Sequence, residues 1–310
     1  MSRSGSIFKG GSKMILVVGA TGSLGGRITR GLLAQGKPVR ILARHNSPSE
    51  ELAKVGRANT ARSLIEAGAE AVYGDLKDRA SLTAAVAGVE TVVTTATATQ
   101  RGGDDTVPAV DLHGTLGLIE AAKTAGVKRF IYTSAYGAVQ GHPVPLFDIK
   151  GTCEAALEQS GMEQTILWPS IFMEFWIGMV VGMPLMANQP ITLIGEGDHR
   201  HNFVSEADVA AFAVAAVDNP RAANQRIGIG GPASYSWTEI VQAVGRVMGT
   251  QLPVQYLPLG SPAPLLPDEI GGLLNGMETF ETFVDMTETA PAYEVKLTTL
   301  DDYIRRTFVR

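Results

Sequence analysis

The chain has 310 residues, of which 45% are hydrophobic and 18% are charged, and its formal net charge is −5. Because it has no basic excess and no long run of one charge, nucleic acid and anionic membrane surfaces are poor candidate partners. Its single cysteine, Cys153, excludes an intrachain disulfide, so nothing points to an oxidising compartment and we expect a cytoplasmic protein.

The beginning of the chain predicts a leader followed by a nucleotide-binding turn. Residues 1–13 are rich in Ser, Gly and Lys and lack an apolar signal segment, so we expect a flexible leader there. An apolar run then leads into Gly19, Gly22 and Gly25, a pattern that predicts a strand, a tight turn and a helix start. The glycines permit the turn, the approach of backbone N–H groups to a pyrophosphate and close helix packing. The residues expected to contact a dinucleotide here are Gly19, Thr21, Gly22, Ser23, Leu24 and Gly25.

Strands and helices alternate through the first half of the chain. Apolar β-type runs predict strands at 39–43, 71–73, 91–96, 129–134 and 164–168, and helices are expected at 27–35, 51–68, 81–87, 115–125 and 150–160. This alternation is typical of an α/β fold with a doubly wound, mostly parallel sheet.

After Pro169 the alternation is weaker. Further strands are expected at 191–194, 201–204 and 226–229, and helices at 206–217, 236–248 and 300–307. We therefore expect a dinucleotide-binding domain over 14–170, completed by about 203–230, and a smaller C-terminal substrate lobe formed by 171–202 and 231–310.

Arg44 follows the second predicted strand, where folds that bind NAD carry an acidic residue about 20 residues beyond the glycines. No carboxylate follows before Glu50. A guanidinium suits a 2′-phosphate through charge-assisted hydrogen bonds, and Ser47 could add a hydroxyl, so the expected cofactor is NADP(H). The alternative is that Arg44 is a solvated loop charge.

Residues after the third and fourth predicted strands would flank the same cleft. They are Asp75, Leu76, Thr95, Ala96 and Thr97. Each could equally be a turn former, so their assignment to the cofactor rests on the expected fold.

Several segments together resemble the NmrA-like branch of atypical short-chain dehydrogenases. They are residues 19–25, 74–76, Lys150 with Glu154, 160–173 and 203–210. The resemblance covers nearly the whole chain from Met14. It implies an extended Rossmann domain with a small substrate lobe, as in isoflavone-reductase-like, benzylic-ether-reductase-like, triphenylmethane-reductase-like and quinone-reductase-like enzymes. Non-catalytic NADP sensors share this scaffold.

The resemblance also implies catalytic residues. Ser134 matches the serine after the fifth strand, and Lys150 matches a lysine that contacts the nicotinamide ribose or a substrate oxygen; the alternative is an ordinary surface lysine. We expect Lys150 at a helix start, which is unfavourable for a cation. Typical members of the wider superfamily carry a tyrosine four residues earlier, where this chain departs from the pattern with Leu146, and Tyr136 could reach the site from its loop. Glu154 is either an ion-pair partner or a helix-surface charge.

An apolar, methionine-rich stretch follows the sixth predicted strand, where the resemblance places the nicotinamide and the substrate wall. The residues assigned to the cofactor are Pro169, Ser170 and Phe172, and those assigned to a flat hydrophobic or aromatic substrate are Phe172, Phe175, Trp176 and Phe147. The alternative is that the stretch belongs to the core. A second wall or lid is expected from residues at helical spacing, namely Met277, Phe280, Phe283 and Val284.

Two other kinds of site have little support. His199 and His201 alternate on a predicted strand and would face one way, but no third ligand is evident, so we expect no metal. The chain contains no Gly-x-Ser-x-Gly motif, which removes the simplest hydrolase interpretation.

These patterns predict an NADPH-dependent reductase of conjugated, electron-poor substrates of the quinone, enone, quinone-methide or imine type. A simple ketone would give a strongly basic alkoxide that needs a placed acid. A quinone-type acceptor gives a phenolate-like anion whose conjugate acid has a pKa of about 10, for which water or Lys150 could serve. The alternative is a non-catalytic NADP(H)-binding redox sensor that reports to a partner protein. Either protein could form oligomers.

Overall fold

A computed structural model describes residues 13–45, 59–99 and 102–309. Residues 1–12, which make up most of the expected leader, lie outside the described part, as do Ser47 and residues 51–58 of an expected helix. The chain divides into two compact units: Met1–Trp168 with Ala210–Ile227, and Pro169–Val209 with Gly228–Arg310.

Strands and helices are distributed over both units of the described chain, and they alternate regularly in the first unit. The strands are β1 (Met14–Val18), β2 (Val39–Ala43), β3 (Glu70–Tyr73), β4 (Val89–Thr94), β5 (Arg129–Thr133), β6 (Glu163–Pro169), β7 (Ile171–Phe172), β8 (Ile191–Ile194), β9 (His201–Val204), β10 (Gln225–Ile229), β11 (Ser234–Tyr235) and β12 (Val254–Leu257).

The helices are α1 (Ser23–Ala34), α2 (Ala61–Glu66), α3 (Arg79–Val86), α4 (Thr115–Thr124), α5 (Pro145–Glu158), α6 (Met173–Ile177), α7 (Met183–Met186), α8 (Glu206–Ala216), α9 (Trp237–Met248), α10 (Asp268–Met277), α11 (Thr289–Ala292) and α12 (Leu300–Phe308). Wider π-helical turns, Pro108–Gly114 and Gly178–Gly182, lead into α4 and α7, and a short 3₁₀ helix spans Pro220–Ala222.

The first unit contains a seven-stranded sheet in the order β10-β6-β5-β4-β1-β2-β3. The pairs from β6 across to β3 are parallel. The strand order reverses between β1 and β4, so the carboxyl ends of these two strands form the switch point where such sheets bind ligands. The doubly wound α/β prediction is confirmed.

The sheet of the first unit is apolar on both faces. Leu16, Val92 and Phe130 are in register on one face, Val17, Val93 and Ile131 are in register on the other, and all six are fully buried. Helices cover both faces of a parallel sheet, so its strands are near-continuous apolar runs instead of alternating ones.

The second unit has two small sheets, β11-β9-β7 and β12-β8. Its core includes Phe203 of β9 and Trp237 of α9, whose rings meet edge to face with centroids 5.3 Å apart. Because β9 pairs with β7 and β11, residues 203–209 lie in this unit, whereas we expected them to complete the large sheet. The return to the first unit begins at Ala210.

Two predicted helices differ from the observed ones. Helix α5 begins at Pro145, since proline fits the first turn of a helix, so Lys150 lies in the second turn and the expected conflict with the helix dipole at the N-terminus was wrong. Helix α10 ends at Met277. Phe283 beyond it is 71% exposed while Val284 is buried, so the expected apolar helix face over 277–284 does not form.

None of the described helices combines the length and the apolar character that a membrane crossing requires. Within residues 13–45, 59–99 and 102–309, no three His, Cys, Asp or Glu side chains are grouped as metal ligands.

Candidate cofactor site

The turn between β1 and α1 can be built only with glycine at its two ends. Gly19 adopts φ +86°, a left-handed conformation that other residues rarely adopt. A Cβ added at Gly25 would lie 2.2 Å from the carbonyl oxygen of Gly19. The turn is closed by the Gly22 amide, which donates to that same oxygen at 3.0 Å. The predicted roles of Gly19 and Gly25 in the turn therefore agree with the structure.

Helix α1 begins without a side-chain cap. Its N-cap residue is Gly22, which has no side chain to accept from the first-turn amides, and the first turn carries no acidic residue. The backbone N–H groups at a helix start and the positive end of its dipole favour an anion such as a pyrophosphate. Thr21 is nearly buried, and Ser23 and Leu24 are half-buried beside this helix start.

Asn59 supports the outside of the turn. Its amide N–H donates to the Thr21 carbonyl at 3.1 Å. Its side-chain Nδ2 lies 3.3 Å from the Gly22 carbonyl oxygen and would be 1.8 Å from a Cβ added at Gly26. No motif marks Asn59 in the sequence, because it reaches the turn from a distant segment of the chain.

Thr95 supports the inner side of the same turn. Its amide donates to the Val18 carbonyl at 3.0 Å, which fixes the chain beyond β4 against the end of β1. Its hydroxyl oxygen would lie 2.7 Å from a Cβ at Gly19 and 2.9 Å from one at Gly25. The predicted residue Thr95 thus contacts the glycine turn itself.

Arg44 lies at the end of β2, as predicted, but its guanidinium already has an acidic partner. Arg44 Nη1 donates to Asp105 Oδ2 at 2.6 Å, and Lys77 Nζ donates to Asp105 Oδ1 at 2.6 Å. Burial alone would raise the pKa of Asp105, but the hydrogen bonds from Lys77 and Arg44 outweigh it and the pKa is lowered. Neither Lys77 nor Asp105 was predicted, since no local pattern links them to Arg44.

The other residues predicted to line the cofactor cleft have mixed surroundings. Asp75 is half-buried and its carboxylate accepts from the amide of Lys77 at 2.8 Å. Leu76 is buried and belongs to the core of the first unit, so its side chain is committed to packing. Ala96 and Thr97 are half-buried in the loop after β4, and the Thr97 hydroxyl lies 2.9 Å from that of Thr99.

Glu154 is the centre of a buried polar cluster. The side chain is 1% exposed, which excludes the helix-surface alternative. Its Oε1 accepts from Trp168 Nε1 at 2.7 Å and from the hydroxyl of Ser134. Arg226 Nη2 lies 2.9 Å from Oε2, and its guanidinium stacks over the Trp168 ring, 4.7 Å from the centroid. The Ser134 hydroxyl proton is therefore already donated to the Glu154 carboxylate.

Lys150 is packed against β5 and is 7% exposed. Its Nζ lies 3.4 Å from the Thr133 carbonyl oxygen and 5.5 Å from the centroid of the Tyr132 ring. Burial lowers the pKa of Lys150, although the charges of Asp111 and Glu154 oppose the shift. The surface-lysine alternative is therefore wrong, and the ammonium lies among side chains of the first unit.

The phenols near this cluster differ in exposure. Tyr132 is buried, and burial raises its pKa well above the usual value, so it is a poor proton donor at neutral pH. Tyr136 is 38% exposed, and its ring meets Trp168 edge to face at 5.8 Å. Phe147 is half-buried on α5 beside His142, with ring centroids 5.0 Å apart.

The remaining predicted residues belong to the second unit. The amide of Ser170 donates to the Ile229 carbonyl at 2.9 Å, and Pro169 is buried. Phe172 is half-buried directly before α6. Phe175 and Trp176 are also half-buried, and their rings meet edge to face at 5.2 Å. Trp176 packs against the core of the second unit, and Phe175 is partly exposed beside it.

The histidine pair is not arranged as predicted. Strand β9 begins at His201, which is fully buried, whereas His199 precedes the strand and has an exposed ring. His201 Nε2 lies 2.8 Å from the Met277 carbonyl oxygen and its Nδ1 lies 3.3 Å from the Thr282 hydroxyl. The two imidazoles therefore have different surroundings, and His201 is a core residue with hydrogen-bond partners.

His201 gives the stability of the protein a pH dependence. Burial lowers its pKa in the folded state, although the bond to Met277 opposes this. On acidification the unfolded chain, whose histidine titrates near pH 6.5, binds the proton first, so stability is lost as the pH falls below that value. We expect the wild-type advantage over His201→Gln in free energy of unfolding to shrink between pH 7.5 and 5.5, measured by urea unfolding. An advantage of the wild type over His201→Gln that does not change with pH would contradict this.

Three comparisons with known proteins agree with this fold. The NmrA-like family model matches residues 11–304. Photosystem II assembly factor Ycf39 of Synechocystis sp. is 33% identical over 79% of this chain and 71% of that protein. An NAD(P)H azoreductase of Xenophilus azovorans is 31% identical over 79% of this chain and 76% of the enzyme. The Citrobacter sp. triphenylmethane reductase complexed with NADP(H) superposes with a TM-score of 0.76 at 20% identity, covering 95% and 100% of the two chains.

The family match spans nearly the whole chain, from before β1 into the last helix. It includes the glycine turn, Lys150 and the segment after β6, which are the residues that carried the resemblance. The chain therefore belongs to the NmrA-like family.

Proposed function

We propose that the protein is an NADPH-dependent reductase. The observation that carries the proposal is the glycine turn of the first unit, where the tight contact between Gly25 and Gly19 and the uncapped start of α1 form a cradle for a pyrophosphate. Arg44, directly after the adjacent strand β2, supplies the cation that a 2′-phosphate requires. The reductase names among the relatives support the same cofactor class.

In this proposal the protein binds and orients the cofactor, and the bound nicotinamide supplies the hydride. The turn residues and the start of α1 hold the pyrophosphate. Thr95, directly after β4, stabilises the turn by donating its amide to the Val18 carbonyl and packing its hydroxyl against the glycines. Lys150 holds positive charge beside the end of β5, where Ser134 is fixed by Glu154. A protonated Lys150 favours a developing negative charge on a reduced substrate without itself undergoing redox chemistry.

The expected substrate class follows from which side chains can donate a proton to the reduced substrate. Leu146 stands where typical members of the wider short-chain dehydrogenase superfamily carry a tyrosine, the Ser134 hydroxyl donates to Glu154, and the buried Tyr132 has a raised pKa. We therefore infer that the enzyme reduces conjugated acceptors such as quinones, enones or imines, whose reduced anions need no strong acid. Half-buried aromatic rings at 172, 175 and 176 suit a flat substrate of this kind.

The direct test follows NADPH absorbance with matched acceptors: quinones, enones, imines and cationic dyes against aliphatic and aryl ketones. General acid catalysis supplies a factor of about 10² to 10⁴ in rate, so we expect kcat/KM for ketones to be lower by a factor of that order. Efficient ketone reduction would contradict the proposal and would point to another donor. A loss of ketone reduction in Tyr136→Phe would then identify Tyr136 as that donor, because its phenol is the exposed one beside the polar cluster around Glu154.

A non-catalytic NADP(H)-binding function is the second candidate. The observation that favours it is the 33% identity to an assembly factor, together with the burial of Lys150. Such a protein would bind both NADPH and NADP⁺ but consume neither. Tight binding of both forms in calorimetry, with no acceptor in the panel oxidising NADPH, would favour this candidate over the reductase.

A further inference from the structure

Arg44, directly after β2, and Lys77, in the loop after β3, form a cation pair that is already bound to an anion of the chain itself. Asp105 bridges Arg44 and Lys77 with one carboxylate oxygen for each cation, both at 2.6 Å. Its side chain is 10% exposed, less than that of Arg44 at 25% or Lys77 at 30%. The carboxylate thus lies deeper than the cations that hold it, in the position of a bound anion.

We propose that Asp105 is an internal competitor for the 2′-phosphate of the cofactor and sets how strongly the protein prefers NADPH to NADH. The inference rests on the proposed function, since it assumes that Arg44 binds that phosphate. A phosphate dianion and a carboxylate both accept charge-assisted hydrogen bonds from Arg and Lys, so they compete for the same donors. The phosphate gains the full charge of both cations only when the Asp105 carboxylate gives up those two donors.

The local backbone presents Asp105 to the cations in a tight turn. Gly102 and Gly103 both have positive φ, at +72° and +63°, and the amide of Asp105 donates to the Gly102 carbonyl at 3.3 Å. Asp104, the neighbouring carboxylate in the same turn, is exposed. The turn therefore directs one of two adjacent acidic side chains into the cation pair and leaves the other in solvent.

The charge balance predicts the direction of the effect. Arg44 and Lys77 together carry two positive charges, which the Asp105 carboxylate contacts at 2.6 Å on both sides, while the Asp75 carboxylate lies 3.9 Å from Lys77 Nζ. Asp105 is therefore the carboxylate that most strongly offsets the charge of this cation pair. Because the pKa of Asp105 is lowered by its two cations, the carboxylate stays ionised at neutral pH and competes throughout the physiological range. Removing its charge should strengthen binding of a 2′-phosphate and leave a ribose without that phosphate unaffected.

The experiment measures the affinity of 2′-phospho-ADP-ribose and of ADP-ribose by calorimetry, at low ionic strength and without phosphate buffer. These ligands lack the nicotinamide, so the readout is independent of hydride transfer. Asp105→Asn and Asp105→Ser should bind 2′-phospho-ADP-ribose about three- to fivefold more tightly than the wild type, the upper range for one partly exposed ion pair. Their affinity for ADP-ribose should change less than about twofold. Asp104→Asn, which removes the same charge one residue away, should show neither change.

Three results would overturn the inference. Unchanged or weaker binding of 2′-phospho-ADP-ribose by both Asp105 variants would mean that Asp105 holds Arg44 in place and does not compete. Weaker binding of ADP-ribose would mean that Asp105 is itself a ribose ligand. If neither ligand binds to the wild type or to any variant, the proposed function fails and the inference fails with it, whereas the first two results leave the proposed function intact.

Discussion

Gly25→Ala should abolish measurable binding of 2′-phospho-ADP-ribose. The added Cβ would lie 2.2 Å from the Gly19 carbonyl oxygen and 2.7 Å from its carbonyl carbon, so backbone and not a flexible side chain must move. Overpacking of this kind typically costs about 1–3 kcal/mol and occasionally more. Here the strain falls on the turn that would hold the pyrophosphate, so we expect at least about a hundredfold loss of affinity, equivalent to roughly 2.7 kcal/mol, in calorimetry.

Gly272→Ala is the matched control for this substitution. Gly272 lies inside helix α10, has no strained φ, and an added Cβ meets no atom within 4 Å. Alanine there should stabilise the protein by about 0.5–1 kcal/mol through its helix propensity and should leave ligand affinity unchanged. If Gly25→Ala behaved in the same way, the turn would not be the pyrophosphate cradle that we propose.

The glycine turn was predictable because all of its information is local. A strand, a tight turn and a helix start lie within residues 14–34. Gly19 and Gly25 are spaced so that their own backbones are in close contact. The same locality predicted Arg44 at the end of β2. The partner of Arg44 could not be predicted, because Asp105 is 61 residues away and reaches it through a loop with no periodic pattern.

The polar cluster around Glu154 was predicted only in part. The family resemblance marked Ser134, Lys150 and Glu154, but burial was not readable from it, since charged residues on a helix are usually exposed. Arg226 was missed because it lies on β10, which returns to the sheet late in the chain. Its contact with Glu154 depends on strand order, which the local pattern does not contain.

The second unit was predicted least well because its elements are short. Strands β7 and β11 have two residues each, too few to show any alternation. After Met277 the chain is irregular, so each apolar side chain is buried or exposed according to its own contacts. Period-based reasoning needs an element of sufficient length, so it predicted β8, β9 and α8 but not the two-residue strands or the irregular segment after Met277.

Glu154→Ala should destabilise the protein by about 3–5 kcal/mol in free energy of unfolding, measured in urea. The change removes the carboxylate that accepts from Ser134 and Trp168 and that faces Arg226, leaving buried donors unpaired. It also removes one of the negative charges that favour the buried ammonium of Lys150. An unpaired buried polar group costs far more than the same group in water, because the protein interior cannot replace its partner.

Glu158→Ala on the same helix is the matched control. Glu158 Oε1 also lies 2.9 Å from Arg226 Nη2, but its side chain is 44% exposed against 1% for Glu154. An exposed ion pair contributes about 0–1 kcal/mol, so the control should lose no more than that. The two variants delete the same charge opposite the same guanidinium and differ chiefly in burial. Equal losses would mean that the buried cluster is not a stabilising unit, and Ser134 and Lys150 would then have to be held in place by other contacts.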